Sequence, residues 1–152
     1  MPMPWTYRHA SREWSAFLED VKERMSLQSD NMAYTAVDAV LQVFRRRLTA
    51  QQGLEFASVL PSVLRAIFVY NWDVTAPPVP FSERSDLISE VKRVRINHNL
   101  TPDNAIEATA WAVRRCTNAR DFERVLARVP EGSASFWHVE VSDPSELEQR
   151  II

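Results

Sequence analysis

Asp38 and Arg45 stand seven residues apart, and Glu107 and Arg114 repeat that spacing, with Arg46 and Arg115 directly after the two arginines. Residues seven apart share a helix face but lie about 10 Å apart along its axis, too far for a direct ion pair. If the two segments pack antiparallel, each acid can meet the other segment's arginine. Arg45 is then expected beside Glu107, and Arg114 beside Asp38. Asp38 and Glu107 would thus be structural charge partners, and the arginines would also suit the negative end of a helix dipole. The same residues allow a second chemistry, in which Arg45, Arg46, Arg114 and Arg115 hold a phosphate or carboxylate between planar donor forks.

Other chemistries find little support. His9, His98 and His138 are scattered, with no pair at helical spacing and no Glu-x-x-His, so neither a metal nor another cofactor is expected. Cys116 falls on an apolar helical stripe and reads as a buried structural thiol rather than a nucleophile. No Ser–His–acid set, Walker loop or dinucleotide fingerprint occurs, so the reading leans away from an enzyme. Trp14 and Trp111 fall within helical spans, Trp72 and Trp137 end theirs, and Trp5 sits in the N-terminal tail. No basic stripe interleaves with them, which argues against nucleic acid. The Phe56–Phe68 stretch could be bent into two helices, but its second part offers a DNA groove only Arg65.

The 152 residues suffice for one domain with a core of its own. Eighteen basic and twenty acidic residues give a net charge of −2, so no global attraction draws it to nucleic acid or anionic lipid. All the basic residues except Lys22 and Lys92 are arginine. Two glycines against nine prolines leave little room for phosphate loops or β-hairpins. A single cysteine, a start without a signal-peptide pattern and no membrane-length apolar run predict a cytoplasmic protein with no membrane partner.

The elements that must position these residues read as helices. Trp14, Phe17, Leu18, Val21 and Met25 form one stripe; Ala33, Val37, Val40, Leu41, Phe44 and Leu48 form a second, between about Asn31 and Arg47. Thr49 with Gln52 predicts a capping box, and Pro61 ends that helix and starts one bearing Val63, Leu64, Ile67 and Phe68. Asp73–Pro80 reads as an extended connector. Leu87, Ile88, Val91 and Val94 resume the helical spacing. Thr101-Pro102-Asp103 predicts a helix start, followed by Ala105, Ile106, Thr109, Ala112, Val113 and Cys116. Asn118 with Asp121 opens a helix carrying Phe122, Val125, Leu126 and Val129. A short segment then runs from Pro130 to Trp137, and Ser142-Asp143-Pro144 predicts a last helix containing Leu147, Ile151 and Ile152.

The chain repeats itself. Ala36-Val-Asp-Ala-Val-Leu-Gln-Val-Phe-Arg-Arg aligns without a gap on Ala105-Ile-Glu-Ala-Thr-Ala-Trp-Ala-Val-Arg-Arg, an offset of 69 that also matches Thr49 with Asn118 and Pro61 with Pro130. Phe17-Leu-x-x-Val-Lys matches Leu87-Ile-x-x-Val-Lys at an offset of 70. Agreement of caps, prolines and stripes predicts an all-α bundle of two related multi-helix repeats with an approximate internal two-fold. It would be one domain over 1–152: repeat one about 9–72, connector 73–81, repeat two about 82–138 and a tail 139–152. Tyr34–Thr49, then Leu60-Pro-Ser-Val-Leu-Arg65-Ala-Ile-Phe and Trp72, resembles the bacterial group named domain of unknown function 2267. That resemblance spans about residues 14–137 and implies two related helical halves, with no activity or catalytic residues to carry over. The second half lacks the apolar residues and arginine of Pro61–Arg65, so its last helix should be short. The function expected is a non-enzymatic interaction or regulatory module with an unidentified protein partner. The alternative is a protein binding a small anion through the four arginines. The connector would also allow a homodimer by exchange of halves.

Overall fold

Apolar residues at helical spacing, interrupted by prolines and capping side chains, fold into a succession of short helices. The structure, a computed structural model, describes residues 3–95 and 101–150. Its helices are α1 (Trp5–Arg8), α2 (Ala10–Met25), α3 (Asp30–Arg45), α4 (Ala50–Ala57), α5 (Ser62–Val69), α6 (Arg84–Arg93), α7 (Ala105–Arg115), α8 (Ala119–Leu126) and α9 (Ser133–Phe136), followed by a 3-10 turn at Pro144–Leu147. No strand occurs among the described residues.

Local chemistry sets most of the boundaries. Ser29 Oγ accepts from Met32 N at 3.1 Å to start α3. The Thr49–Gln52 capping box opens α4, and Asn118 Oδ1 accepts from Asp121 N at 3.0 Å to open α8. Four boundaries differ from expectation. Trp5–Arg8 is helical rather than a tail. Thr101–Asn104 does not begin α7: Lys92 takes the Asp103 carboxylate, Asn104 donates to Arg24 O, and the helix starts uncapped at Ala105. The connector is not extended throughout, because Asp73 accepts from Thr75 N and closes a turn before Pro77. Val79 N then donates to Arg46 O at 3.0 Å, fastening the connector to the end of α3. Of the expected last helix only the 3-10 turn forms, capped by Asp143; Ile151 and Ile152, like His98, lie outside the described residues.

Helices α3 and α7 are the centre. α3 buries Ala33, Ala36, Val37, Ala39, Val40, Leu41, Val43 and Phe44, and α7 buries Ala105, Ile106 and every residue from Ala108 to Val113. Both are apolar on nearly every side and must be enclosed. α2 packs on α3 and also on α7, while α6 packs on α7 and also on α3. α4 meets α8, α5 covers α3, and α9 covers α7. An aromatic cluster ties the halves together, with Phe44 centred 4.8 Å from Phe56 and 5.1 Å from Phe136, and Phe56 5.3 Å from Trp137.

Gly132 holds a left-handed backbone, φ 103°, at the start of α9, and a Cβ there would stand 2.7 Å from Phe81 Cδ2. Strain and collision act together, so Gly132→Ala should cost about 1–3 kcal/mol. Thermal unfolding should show a midpoint several degrees lower; an unchanged midpoint would contradict this packing.

Candidate functional site

The arginines at the ends of α3 and α7 are drawn into the fold. Arg45, nine-tenths buried, donates through Nη1 to the carbonyls of Phe68 and Tyr70, both at 2.9 Å. Sixty-nine positions on, Arg114 Nε donates to Trp137 O at 2.8 Å, and Trp137 is itself 69 positions beyond Phe68. Each of these arginines thus ties the end of a central helix to the end of the last helix in its half. Arg114 also pairs with Glu123 at 2.8 Å.

Arg46 and Arg115 reach across to the other half. Arg46 Nη1 lies 2.9 Å from Glu90 of α6, and Arg47 grips both oxygens of the same carboxylate at 2.9 and 2.6 Å. Arg115 Nε donates to Asp20 of α2 at 3.2 Å, and Arg150 bonds the same carboxylate. Asp20 and Glu90 are matched at the offset of 70. The halves therefore exchange ion pairs, but not through the acids expected. Arg45 is not paired with Glu107, nor Arg114 with Asp38. Arg24 takes Glu107, with Nε 3.2 and 3.3 Å from its oxygens, and Asp38 accepts from Gln42 at 2.9 Å. The acids sit mid-helix, whereas an arginine in the last turn reaches only what packs beside that end.

Glu107 belongs to a further cluster. The guanidiniums of Arg24 and Arg115 both lie over the Trp111 ring, 4.8 and 4.6 Å from its centroid, and its indole N–H donates to Glu146 at 2.9 Å. Burial pushes the Asp38 carboxyl upward despite Gln42 and the charges of Arg45 and Arg95. Burial also raises Asp20, more than Arg150 and Arg115 lower it. At Glu90 burial again acts upward, but Arg47 and Arg46 together outweigh it and hold the carboxyl below its ordinary range.

Two surface hollows bear on the central helices and their arginines. One of about 240 Å³ lies between Arg45, Arg46 and Leu48 at the end of α3 and Trp72, Asp73 and Pro77 of the connector. Arg114 and Arg115 do not line it, so the four arginines are not one constellation. The other, about 510 Å³, is an open groove between α5 and the pair α2–α3, with Trp14, Leu18, Tyr34, Val63 and Ile67 along it. Among the described residues no three His, Cys, Asp or Glu side chains are grouped to hold a metal, and no helix is long and apolar enough to cross a membrane. The Cys116 thiol donates to Val113 O at 3.3 Å, and burial, with the charges of Glu13 and Asp20, pushes its pKa up, so it stays protonated at neutral pH.

The family profile described as uncharacterized conserved protein (DUF2267) matches residues 14–136. The chain belongs to this family. No curated protein matches it. The matched part of this DUF2267 protein holds α2 from Trp14 onward, α3 to α9, and both connecting acids, Asp20 and Glu90. α1 and the C-terminal strap with Glu146 and Arg150 fall outside it. The sequence reading overlooked Arg24, Arg47, Glu90 and Asp20. A signal for the last two existed, because both occupy the second variable position of the matched Phe17–Lys22 and Leu87–Lys92 segments.

The two kinds of carboxyl should respond oppositely to substitution. A carboxyl held low stabilises the fold above its unfolded pKa, and that contribution is lost as pH falls through the folded value. Glu90→Gln also strands Arg47, whose side chain is 4% exposed. It should cost about 2–3 kcal/mol at pH 7, below the roughly 3–5 kcal/mol of a fully buried pair. A carboxyl held high costs stability above its folded pKa, so Asp38→Asn should leave the neutral-pH midpoint unchanged or higher. Denaturant unfolding at pH 7 checks both; equal losses would refute the assignment.

Proposed function

We propose that this DUF2267 protein is a non-enzymatic, cytoplasmic interaction module whose groove between α5 and the α2–α3 pair takes an amphipathic helix of a partner protein. The groove itself carries this reading. Leu18, Val63 and Ile67 make it apolar, and the Trp14 and Tyr34 rings meet edge to face at 6.2 Å and 77°. Val63, Ile67 and Tyr70 follow one another at helical spacing, and Tyr70 is 75% exposed, so the apolar stripe runs on beyond the hollow. A trough of this kind suits apolar anchors at i, i+4 and i+7 of a docked helix, with aromatic side chains as its strongest contacts. At one end Lys22 pairs with both Glu19 and Asp30, leaving a net negative rim that favours a basic partner segment.

We read the two halves as copies of one helical unit related by an approximate two-fold. The recurring Arg45 and Arg114 carbonyl bonds and the exchanged Arg46–Glu90 and Arg115–Asp20 pairs support this.

Arg45 favours a second reading, a site for a small anion. Arg45 is nine-tenths buried as a residue, with no carboxylate within 4 Å and no partner for Nε or Nη2 among the described residues. Desolvation lowers its pKa from the usual guanidinium range. A phosphate or carboxylate in the hollow beside it would supply the missing counter-charge. Asp73 opposes this from the connector wall, although its carboxylate is engaged by Thr75.

A photo-reactive side chain at Tyr34 tests the groove inside cells. Discrete adducts at Tyr34, absent from a probe at Glu148 and lost in a folded Tyr70→Asp variant, support it. Adducts indifferent to Tyr70→Asp overturn it. For the hollow, inorganic phosphate should raise the melting point saturably, with the effect lost in Arg46→Ala and larger in Asp73→Asn. A ligand at 100 times its Kd adds about 2.7 kcal/mol, or several degrees. A response equal to that of sodium chloride in every variant rejects the anion site.

A further inference from the structure

A third cavity, away from the groove and the arginine hollow, opens where α1 and α2 meet the α4–α5 bend and the α7–α8 junction. Its volume is about 250 Å³, and Trp5, Thr6, Glu13, Pro61, Arg65 and Asn118 are among the side chains on its wall. Glu13 is unusual there. It is nine-tenths buried, and its Oε1 has no hydrogen-bond partner. Leaving a charged acceptor buried and unpaired costs free energy that a donor would recover.

The cation already present cannot serve as that donor. Arg65 spends Nε on Ala57 O at 3.0 Å and Nη2 on Leu60 O at 3.1 Å and Ser58 O at 3.4 Å, and turns Nη1 to the Tyr7 hydroxyl at 3.4 Å. Those bonds staple α4 to α5 and leave Arg65 few donors for an incoming anion. Asp121, also on the wall, adds a second carboxylate, shared with Arg124 at 3.1 Å. At the mouth Trp5 is 45% exposed, and it offers an aromatic face to an alkyl chain or a cation. A buried carboxylate without a cationic partner, beside Asp121, an aromatic face and the apolar ring of Pro61, specifies the ligand class.

We propose that this cavity binds a small primary ammonium compound, with Glu13 accepting from its N–H groups and Trp5 covering its alkyl part. Burial raises the Glu13 carboxyl, against the Thr6 hydroxyl, which is the behaviour of an acid lacking a cationic partner. The ammonium enters between Thr6 and Glu13 and takes the place of the hydroxyl. The site shares no residue with the groove, so neither proposal depends on the other.

Propylammonium chloride is the probe, with sodium chloride and 1-propanol as the matched salt and neutral controls. Titration followed by thermal unfolding and by the amide resonances of Thr6 and Asn118 should saturate with propylammonium alone. Glu13→Gln, which keeps the shape and removes the buried charge, should stay folded and bind at least about ten-fold more weakly. Trp5→Ala removes an exposed ring and should weaken binding about two- to five-fold. Resonance changes that match those in sodium chloride, or full binding by Glu13→Gln, overturn the proposal. Should Glu13→Gln fail to fold, full binding by Trp5→Ala together with equal binding of 1-propanol overturns it.

Discussion

Two helices that are apolar around nearly their whole circumference must be wrapped by other parts of the chain, and the rest of the molecule follows from that constraint. α3 and α7 are rich in alanine and valine, so their backbones come close and leave few side chains able to fill space. The larger volumes come from Phe44, Phe56, Phe68, Phe122, Phe136 and Trp137, all but Phe44 supplied by the surrounding segments. Neither half could bury its own central helix alone, because α2 covers α7 and α6 covers α3 as well as their own neighbours. Stability is therefore a property of the two halves together.

The same constraint explains where the charges are. Apart from Asp38 and Glu107, the charges of the two central helices stand near their ends, and the arginines gather in the last turns, where unsatisfied carbonyls favour cations. Two of them complete carbonyls at the ends of α5 and α9. Two cross to the first helix of the other half, so the contacts made by apolar packing are marked a second time by ion pairs. The crossings are unequal. Glu90 is gripped by two guanidiniums and held low, whereas Asp20, 5% exposed, stays raised despite Arg115 and Arg150. Desolvation outweighs attraction at the more deeply buried acid.

Helix stripes, the caps at Thr49 and Asn118 and the all-helical fold were legible because each is written within a few residues: both cap side chains accept their backbone bond three residues on. The start of α7 was not, because Asp103 and Asn104, which look like helix-opening residues, are claimed by Lys92 and the Arg24 carbonyl from distant parts of the chain. The partner acids failed for the same reason. Asp38 and Glu107 had the right symmetry, but only tertiary packing says which acid lies beside a helix end. Glu13 lies in the first turn of α2 between Arg12 and Trp14, and nothing in that local pattern announces its burial.

The groove also depends on a difference between the halves. Trp14 and Val63, which line it, correspond to Arg84 and Gly132 in the second half. There the space is filled: Phe81 from the connector packs against Gly132, and Arg84 lies over the Phe136 ring and donates to its carbonyl at 3.2 Å. Ile67, half-buried in the groove, corresponds to Phe136, which is 1% exposed. Without the Arg65 staple, α9 is four residues long and cannot form a wall like that of the eight-residue α5. One half thus closes over its own apolar face, and the other leaves its face open.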